Sequence, residues 1–381
     1  MLMTAILILT VIWLAWSNGG NDNFMGVATL YGSGTMSYRT ALTWATITTA
    51  AGCLVSVIIA GALVASFSGR GIVPESLEGT APLLISVAGA AAATKFLATL
   101  LGMPTSTTHA LTGGLIGVGL LAGSGSAALS VLGFLFLLPL ALSPILAIGI
   151  VGITYPILRH TRLRLGISSE SCLCISEPNS PPAFADSPKP LTINRQATTS
   201  LPQLRTGTIA TCADRYTGSI CGVRAQSAVN AVHIISGGMV CFARAVNDTP
   251  KIAALLLIAG SGIVGWHLAL IAAAMLFGGL VHSRGIARTM SERITEMNTG
   301  QGTTANVITS SLVLCASLFA LPVSTTHISC STIFGIGMMR GSPRWSTIAS
   351  IILTWIVTLP MGIVFGAGAY WLLSRSGATF V

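Results

Sequence analysis

Several stretches of this chain run past the length needed to cross a bilayer without meeting a charge. Thr40 to Phe67, Ala127 to Leu158 and Ile348 to Leu373 contain no Asp, Glu, Lys or Arg. A helix needs about 20 apolar residues to span the hydrocarbon core. Within lipid, backbone amides are satisfied only by helices or by closed barrels. Runs of this length point to an all-α polytopic membrane protein. Composition agrees: charged residues make up 8% of the 381, against about a quarter in soluble chains. The net charge of +9 then reads as basic residues that set topology, and no nucleic acid is expected. The first run, Leu2 to Trp16, lacks the basic start of a signal peptide and leads into a motif repeated later, so it reads as a mature helix.

One short motif occurs twice. Met103 to His109 reads MPTSTTH, and Pro322 to His327 reads PVSTTH. Each lies between short apolar pieces broken at the proline, the pattern of a re-entrant helical hairpin. Proline with Ser and Thr beside it marks a helix start. The free N–H groups and partial positive charge of a helix start suit an anion. Two such starts in matching halves point to an oxyanion site at mid-membrane. The plainer alternative is that the hydroxyls only re-satisfy backbone freed by the proline; the repetition weighs against it.

An apolar run with an Asn-Asp interruption precedes each hairpin. Leu2 to Gly34 is interrupted by SNGGND at Ser17 to Asp22, and Ala228 to Ala259 at Asn247, Asp248, Thr249 and Pro250. A straight helix over the first run would be ~50 Å long, beyond the ~30 Å core. A break is therefore expected at Gly19, Gly20, Asn21 and Asp22. The order broken helix, helix, polar loop, STTH hairpin, helix appears in residues 1–159 and again in 225–381. Residues 160–224, rich in Ser, Thr, Pro and Arg, read as a flexible loop. If the hairpins re-enter, each half crosses three times and the two halves are inverted-topology repeats. With the central loop in the cytoplasm, 14 of the 19 Lys and Arg fall inside, as the positive-inside rule asks. Both termini then lie outside a plasma (inner) membrane.

Of ten acidic residues only Asp22 and Asp248 lie within apolar runs, each after an asparagine, Asn21 or Asn247. A carboxylate in lipid costs about 3 kcal/mol on insertion scales, so retention points to a pathway or pairing role. Two at matching breaks point to cation or proton coupling; the alternative is that each caps its broken helix. Lys95, Arg244 and Lys251 are the basic residues in apolar runs. Arg244 stands four residues before Asp248, the spacing of a helical ion pair, and Lys251 three residues after it. Lys95 precedes the first STTH by about three turns and can snorkel or reach the site. Asp22 has no such partner nearby in sequence. His109 and His327 are candidates for proton shuttling or for hydrogen bonds within the hairpins.

These residues carry a resemblance. The chain resembles the PiT-type inorganic phosphate transporters, which include related sulfate permeases. That family has inverted repeats, each with a GANDVANA-like and a PVSTTH-like motif. The matches here are GGND at Gly19 to Asp22, VND at Val246 to Asp248, and both STTH copies. The resemblance implies a cation-coupled oxyanion symporter, with Na⁺ or H⁺ as coupling ion and no other cofactor. It assigns the anion to Ser106, Thr107, Thr108, Ser324, Thr325 and Thr326, and the coupling cation to Asn21, Asp22, Asn247 and Asp248. It also implies a homodimer. One departure stands out: where the family has a second asparagine three residues after the aspartate, this chain has Met25 and Lys251. Methionine is a poor ligand for a hard cation, and an ammonium would stand where a cation might sit.

Three other readings compete with phosphate symport. A sulfate permease keeps the architecture and changes the anion. A passive channel fits inverted broken-helix repeats less well than alternating access does. An intramembrane hydrolase would pair Ser106 or Ser324 with a histidine, but no GxSxG elbow is present and a doubled motif is not a single catalytic centre. The expectation is a transporter and not an enzyme.

Overall fold

The structure, a computed structural model, describes residues 2–59, 72–123, 133–165, 171–176, 203–208, 223–257 and 264–375. Arg70, residues 60–67 of the second expected span, 127–132 of the long run before Leu158, and most of 160–224 lie outside the described residues. Twelve helices are used below: α1 Leu2–Asp22, α2 Ala28–Gly32, α3 Tyr38–Ile59, α4 Ala81–Leu100, α5 Thr107–Leu121, α6 Leu138–Arg164, α7 Ala225–Leu257, α8 Val264–His282, α9 Arg284–Arg288, α10 Thr299–Leu318, α11 Thr325–Arg340 and α12 Trp345–Arg375. Among the described residues, five helical stretches are long and apolar enough to cross a membrane, or six when the bent pair starting at α8 is taken as one span.

The chain divides into two compact units, residues 1–155 with 233–381, and residues 156–232. In the larger unit every regular element among the described residues is helical. Its outward side chains are apolar: Leu54, Ile145, Ile153, Ile356 and Val364 are all more than half exposed. Such a surface requires lipid rather than water. In the smaller unit three short strands, β1 Ser171–Ser176, β2 Gln203–Thr208 and β3 Val223–Arg224, form an antiparallel sheet in the order β2-β1-β3.

The first expected break comes just after Asp22, and the second is absent among the described residues. α1 continues unbroken through Gly19, Gly20, Asn21 and Asp22, and the chain turns only afterwards, through a 3₁₀ turn at Met25–Val27. The two glycines serve packing. A β-carbon at Gly19 would collide with the Met275 carbonyl, and one at Gly278 with the Trp16 carbonyl, so α1 and α8 cross backbone to backbone. α7 runs from Ala225 to Leu257 with Pro250 inside it and no break at Asn247 or Asp248. Proline inside a membrane helix is tolerated where neighbours satisfy the freed carbonyl. The expected polar loop is helical over 284–293. It bends 62° away from α8 and buries Ile286, Met290 and Ile294, while Arg288 pairs with Glu292 on its exposed side.

Each STTH motif lies at a helix–turn–helix tip. α4 ends in a left-handed residue, Gly102 at φ 67°, with Met103 N–H donating to Ala98 O at 2.9 Å. α10 ends the same way at Ala320, φ 55°, with Leu321 N–H donating to Ala316 O at 2.8 Å. The left-handed cap reverses the chain into the motif. α5 then packs along α12 through two facing small-residue pairs. β-carbons at Gly113, Gly362 and Gly366 would stand 2.6–2.8 Å from carbonyl oxygens of the other helix, and one at Gly117 would overlap Ile363 O. Small residues four apart are how membrane helices approach closely.

This packing gives the first prediction. Gly117→Leu should destabilise the detergent-purified protein by about 1–3 kcal/mol through overpacking, read as a lower unfolding midpoint. Gly368→Ala, on α12 with nothing within 4 Å of its missing β-carbon, should leave the midpoint unchanged. Equal midpoints for the two variants would rule out the close crossing.

Candidate functional site

The two tips meet each other. Thr108 Oγ1 on the first donates to Val323 O of the second at 3.1 Å, and Thr326 Oγ1 on the second donates to Thr105 O of the first at 2.8 Å. These bonds are reciprocal, since Thr105 and Val323 each precede the first residue of STTH. Ser106 and Ser324 are the helix caps: their hydroxyl oxygens accept from the backbone N–H of His109 and His327, each at 3.1 Å. Each capped start leaves a helix N-terminus aimed at the tip junction, with its partial positive charge. Thr107 accepts from Asn18 Nδ2 at 2.7 Å and donates to Asp22 Oδ2 at 3.3 Å. Thr325 is also buried.

The Asn-Asp pairs pack against these tips in matching ways. Asn21 Nδ2 donates to Thr99 Oγ1 at 3.0 Å, and Thr99 in turn donates to the carbonyl of residue 95. Asn247 Nδ2 donates to Ser317 Oγ at 2.8 Å, and Ser317 to the carbonyl of residue 313. Asp22 pairs with Lys95, whose Nζ lies 2.8 and 2.7 Å from the two carboxylate oxygens, with both side chains fully buried. Asp248 pairs with Lys251 at 3.3 Å. The absence of a sequence-local partner for Asp22 was misleading, because the partner arrives from α4. The helical spacing of Arg244 and Asp248 was misleading too. The Arg244 guanidinium turns to α1 and α3, donating to Asn18 Oδ1 at 3.0 Å and Thr49 Oγ1 at 3.3 Å.

Asn18 links these parts. Its amide donates to Asp22 at 3.0 Å, to Thr107 and, at 3.4 Å, to Asp248, while its carbonyl accepts from Arg244. Among the described residues the buried Asp, Glu, Lys and Arg side chains are Asp22, Lys95, Arg244, Asp248 and Lys251. They form this one centre, and fully ionised they leave one net positive charge. Arg244 Nε has no partner among the described residues, so the centre holds a buried donor that is unsatisfied. Asn18, Thr49, Thr99 and Ser317 escaped the sequence reading. The 99/317 pair was findable, because both stand seven residues before the motif serine. Asn18 and Thr49 carry no such signal.

The histidines stand away from the charges. Their rings are 4.5 Å apart, and the His327 ring stacks on Trp355 at 4.0 Å. Neither His327 ring nitrogen bonds to a residue of its own hairpin. His327 thus bonds its hairpin only through its backbone. Both rings line a side cleft with Leu140, Pro144 and Ile356.

Comparisons with known proteins point to one family. A model described as the phosphate transporter family matches residues 18–366. A chain of Pyrococcus horikoshii named as a phosphate permease is 28% identical over 94% of this chain and 96% of its own length. A Bacillus subtilis chain named as a low-affinity inorganic phosphate transporter is 24% identical over 98% of each. A solved structure titled the sodium-dependent phosphate transporter superposes with a TM-score of 0.73, covering 98% of this chain and all of that one, at 18% identity; that likeness is one of fold. With a family match that contains both Asn-Asp pairs and both STTH tips, the chain belongs to the phosphate transporter family.

Proposed function

We propose that this protein is a secondary active transporter that imports inorganic phosphate, in symport with Na⁺ or H⁺. One observation carries the reading: two helix starts meet at a buried centre of three basic and two acidic side chains, one positive charge in excess when all are ionised. A monovalent anion entering it restores neutrality, and buried charge is tolerated only when compensated. The relatives named as phosphate permeases and transporters support the choice of anion.

In this reading Arg244, Asn18 and Thr107 hold the anion beside the α5 start. The guanidinium offers a planar fork suited to a tetrahedral oxyanion. Two carboxylates stand close by, and protonated phosphate can donate a hydrogen bond to a carboxylate whereas sulfate at neutral pH cannot. The same groups therefore favour phosphate over sulfate. The halves 1–159 and 225–381 act as inverted repeats about the tip junction, with the 160–224 segment cytoplasmic and both termini outside. Hydrolysis finds no support here, because both serines cap helices and the His327 ring bonds to neither.

Radiolabelled phosphate uptake into proteoliposomes, under an imposed Na⁺ gradient and separately under a proton gradient, tests the reading. Uptake should rise with at least one gradient and resist competition by equimolar sulfate. Flux that ignores both gradients would return the protein to the channel class; flux abolished by sulfate would make it a sulfate permease. Two substitutions sharpen the assignment. Thr107→Ala removes a hydroxyl bonded to Asp22 and Asn18 and should cut uptake about tenfold, the scale of a hydrogen bond to a charged group. Arg244→Lys keeps the charge but loses the fork, so it should raise the phosphate KM more than it lowers the maximal rate.

A further inference from the structure

Each half of the centre contains a cage of oxygens, and each cage holds one ammonium. Lys95 Nζ lies within reach of both Asp22 oxygens, Thr105 O at 2.9 Å and Asn21 Oδ1 at 3.4 Å. Lys251 Nζ lies within reach of Asp248 Oδ1 at 3.3 Å, Val323 O and Thr108 Oγ1 at 3.0 Å each, and Asn247 Oδ1. The shared ligand set is a carboxylate, the preceding asparagine's amide oxygen and the carbonyl before the motif serine. An all-oxygen set with one carboxylate is what a hard metal cation takes.

The two lysines do not occupy matching positions. Lys95 comes from the hairpin arm, and the matching residue in the second half is Val313, whose carbonyl takes the Ser317 hydroxyl as that of Lys95 takes Thr99. Lys251 comes three residues after its aspartate, and the matching residue in the first half is Met25. Both counterparts are buried and apolar. Simple duplication would have placed both lysines at one position. Instead each cage receives one ammonium by a different route, and the other route is closed by an apolar side chain.

We propose that Lys95 and Lys251 are built-in cations that fill the two oxygen cages in place of dissolved metal cations, so that anion transport by this chain is independent of Na⁺. This inference rests on the symport reading above and selects within it: a tethered ammonium cannot leave with the anion, which leaves the proton as the coupling ion.

The test measures Na⁺ binding and Na⁺-dependent flux separately. Unfolding midpoints of the detergent-purified protein are recorded in NaCl and in choline chloride at equal ionic strength, for the wild type, Lys95→Ala and Lys251→Asn. The wild type should show no difference between the salts. Either variant, with its cage opened, should gain a saturable Na⁺-specific rise in midpoint, as a ligand that binds only the folded state gives. A Na⁺-specific rise in the wild type would overturn the proposal, as would folded variants that gain none. If neither variant folds, the wild-type midpoints and its uptake with Na⁺ replaced by choline decide: a several-fold loss of uptake overturns the proposal, and unchanged uptake with unchanged midpoints upholds it. Absence of phosphate uptake under every gradient would defeat the transport reading while leaving the Na⁺-binding result to stand by itself.

Discussion

Two carboxylates at the centre of an apolar protein constrain everything around them. Asp22 and Asp248 are at most 1% exposed, and an ionised carboxylate there is tolerated only with a partner and with its remaining oxygens bonded. Removing one partner of such a pair typically costs about 3–5 kcal/mol, a large share of a protein's total stability. The lysines, the asparagines and the helix-tip carbonyls are thus one unit. Lys95 is held in place by α1 and the first tip, and Lys251 by α7 and both tips. No element of the centre can be placed without the others.

Bringing five charged side chains and two helix starts to one point demands close backbone approach. The small residues supply it. Gly19 and Gly278 let α1 and α8 cross where the Asn-Asp pair leaves α1, and Gly113 and Gly117 seat α5 on α12 directly behind the first tip. In lipid no hydrophobic force draws helices together, so van der Waals contact at such stripes carries the association. The glycines of the SNGGND stretch therefore position the site by packing, which explains why α1 stays helical through them.

The class of fold was legible because the length of an uncharged run is a local property of sequence. The tips were legible for the same reason: a proline followed by Ser, Thr and Thr is a local helix start, and its duplication locates two. What failed was any inference that required knowing what stands across a helix interface. Four-residue spacing paired Arg244 with Asp248 on one helix, but α1 offers Asn18 and α3 offers Thr49, and the guanidinium turns to them. Asp22 lacked a partner in its own stretch, yet Lys95 stands beside it from 73 residues away. Helix length required a break in the first run, and it comes just after Asp22 rather than at the glycines; Pro250 suggested a break in the second, but α7 runs through it, because tertiary packing decides whether glycine and proline break a helix.

The reciprocal tip bonds add a mechanical consequence. Thr105 O accepts from Lys95 Nζ and from Thr326 Oγ1 of the other tip. Val323 O accepts from Lys251 Nζ and from Thr108 Oγ1. Each carbonyl therefore joins one ammonium to the opposite hairpin. Parting the tips leaves the Lys95 cage whole, removes Thr108 Oγ1 from the Lys251 cage, and frees an acceptor site beside each ammonium. An anion between the tips supplies oxygens at the same place, so it can replace the bonds that parting breaks. If phosphate is transported as proposed, that exchange links occupancy of the centre to movement of the hairpins with no added element, because the groups that neutralise the aspartates are bonded to the carbonyls that latch the tips.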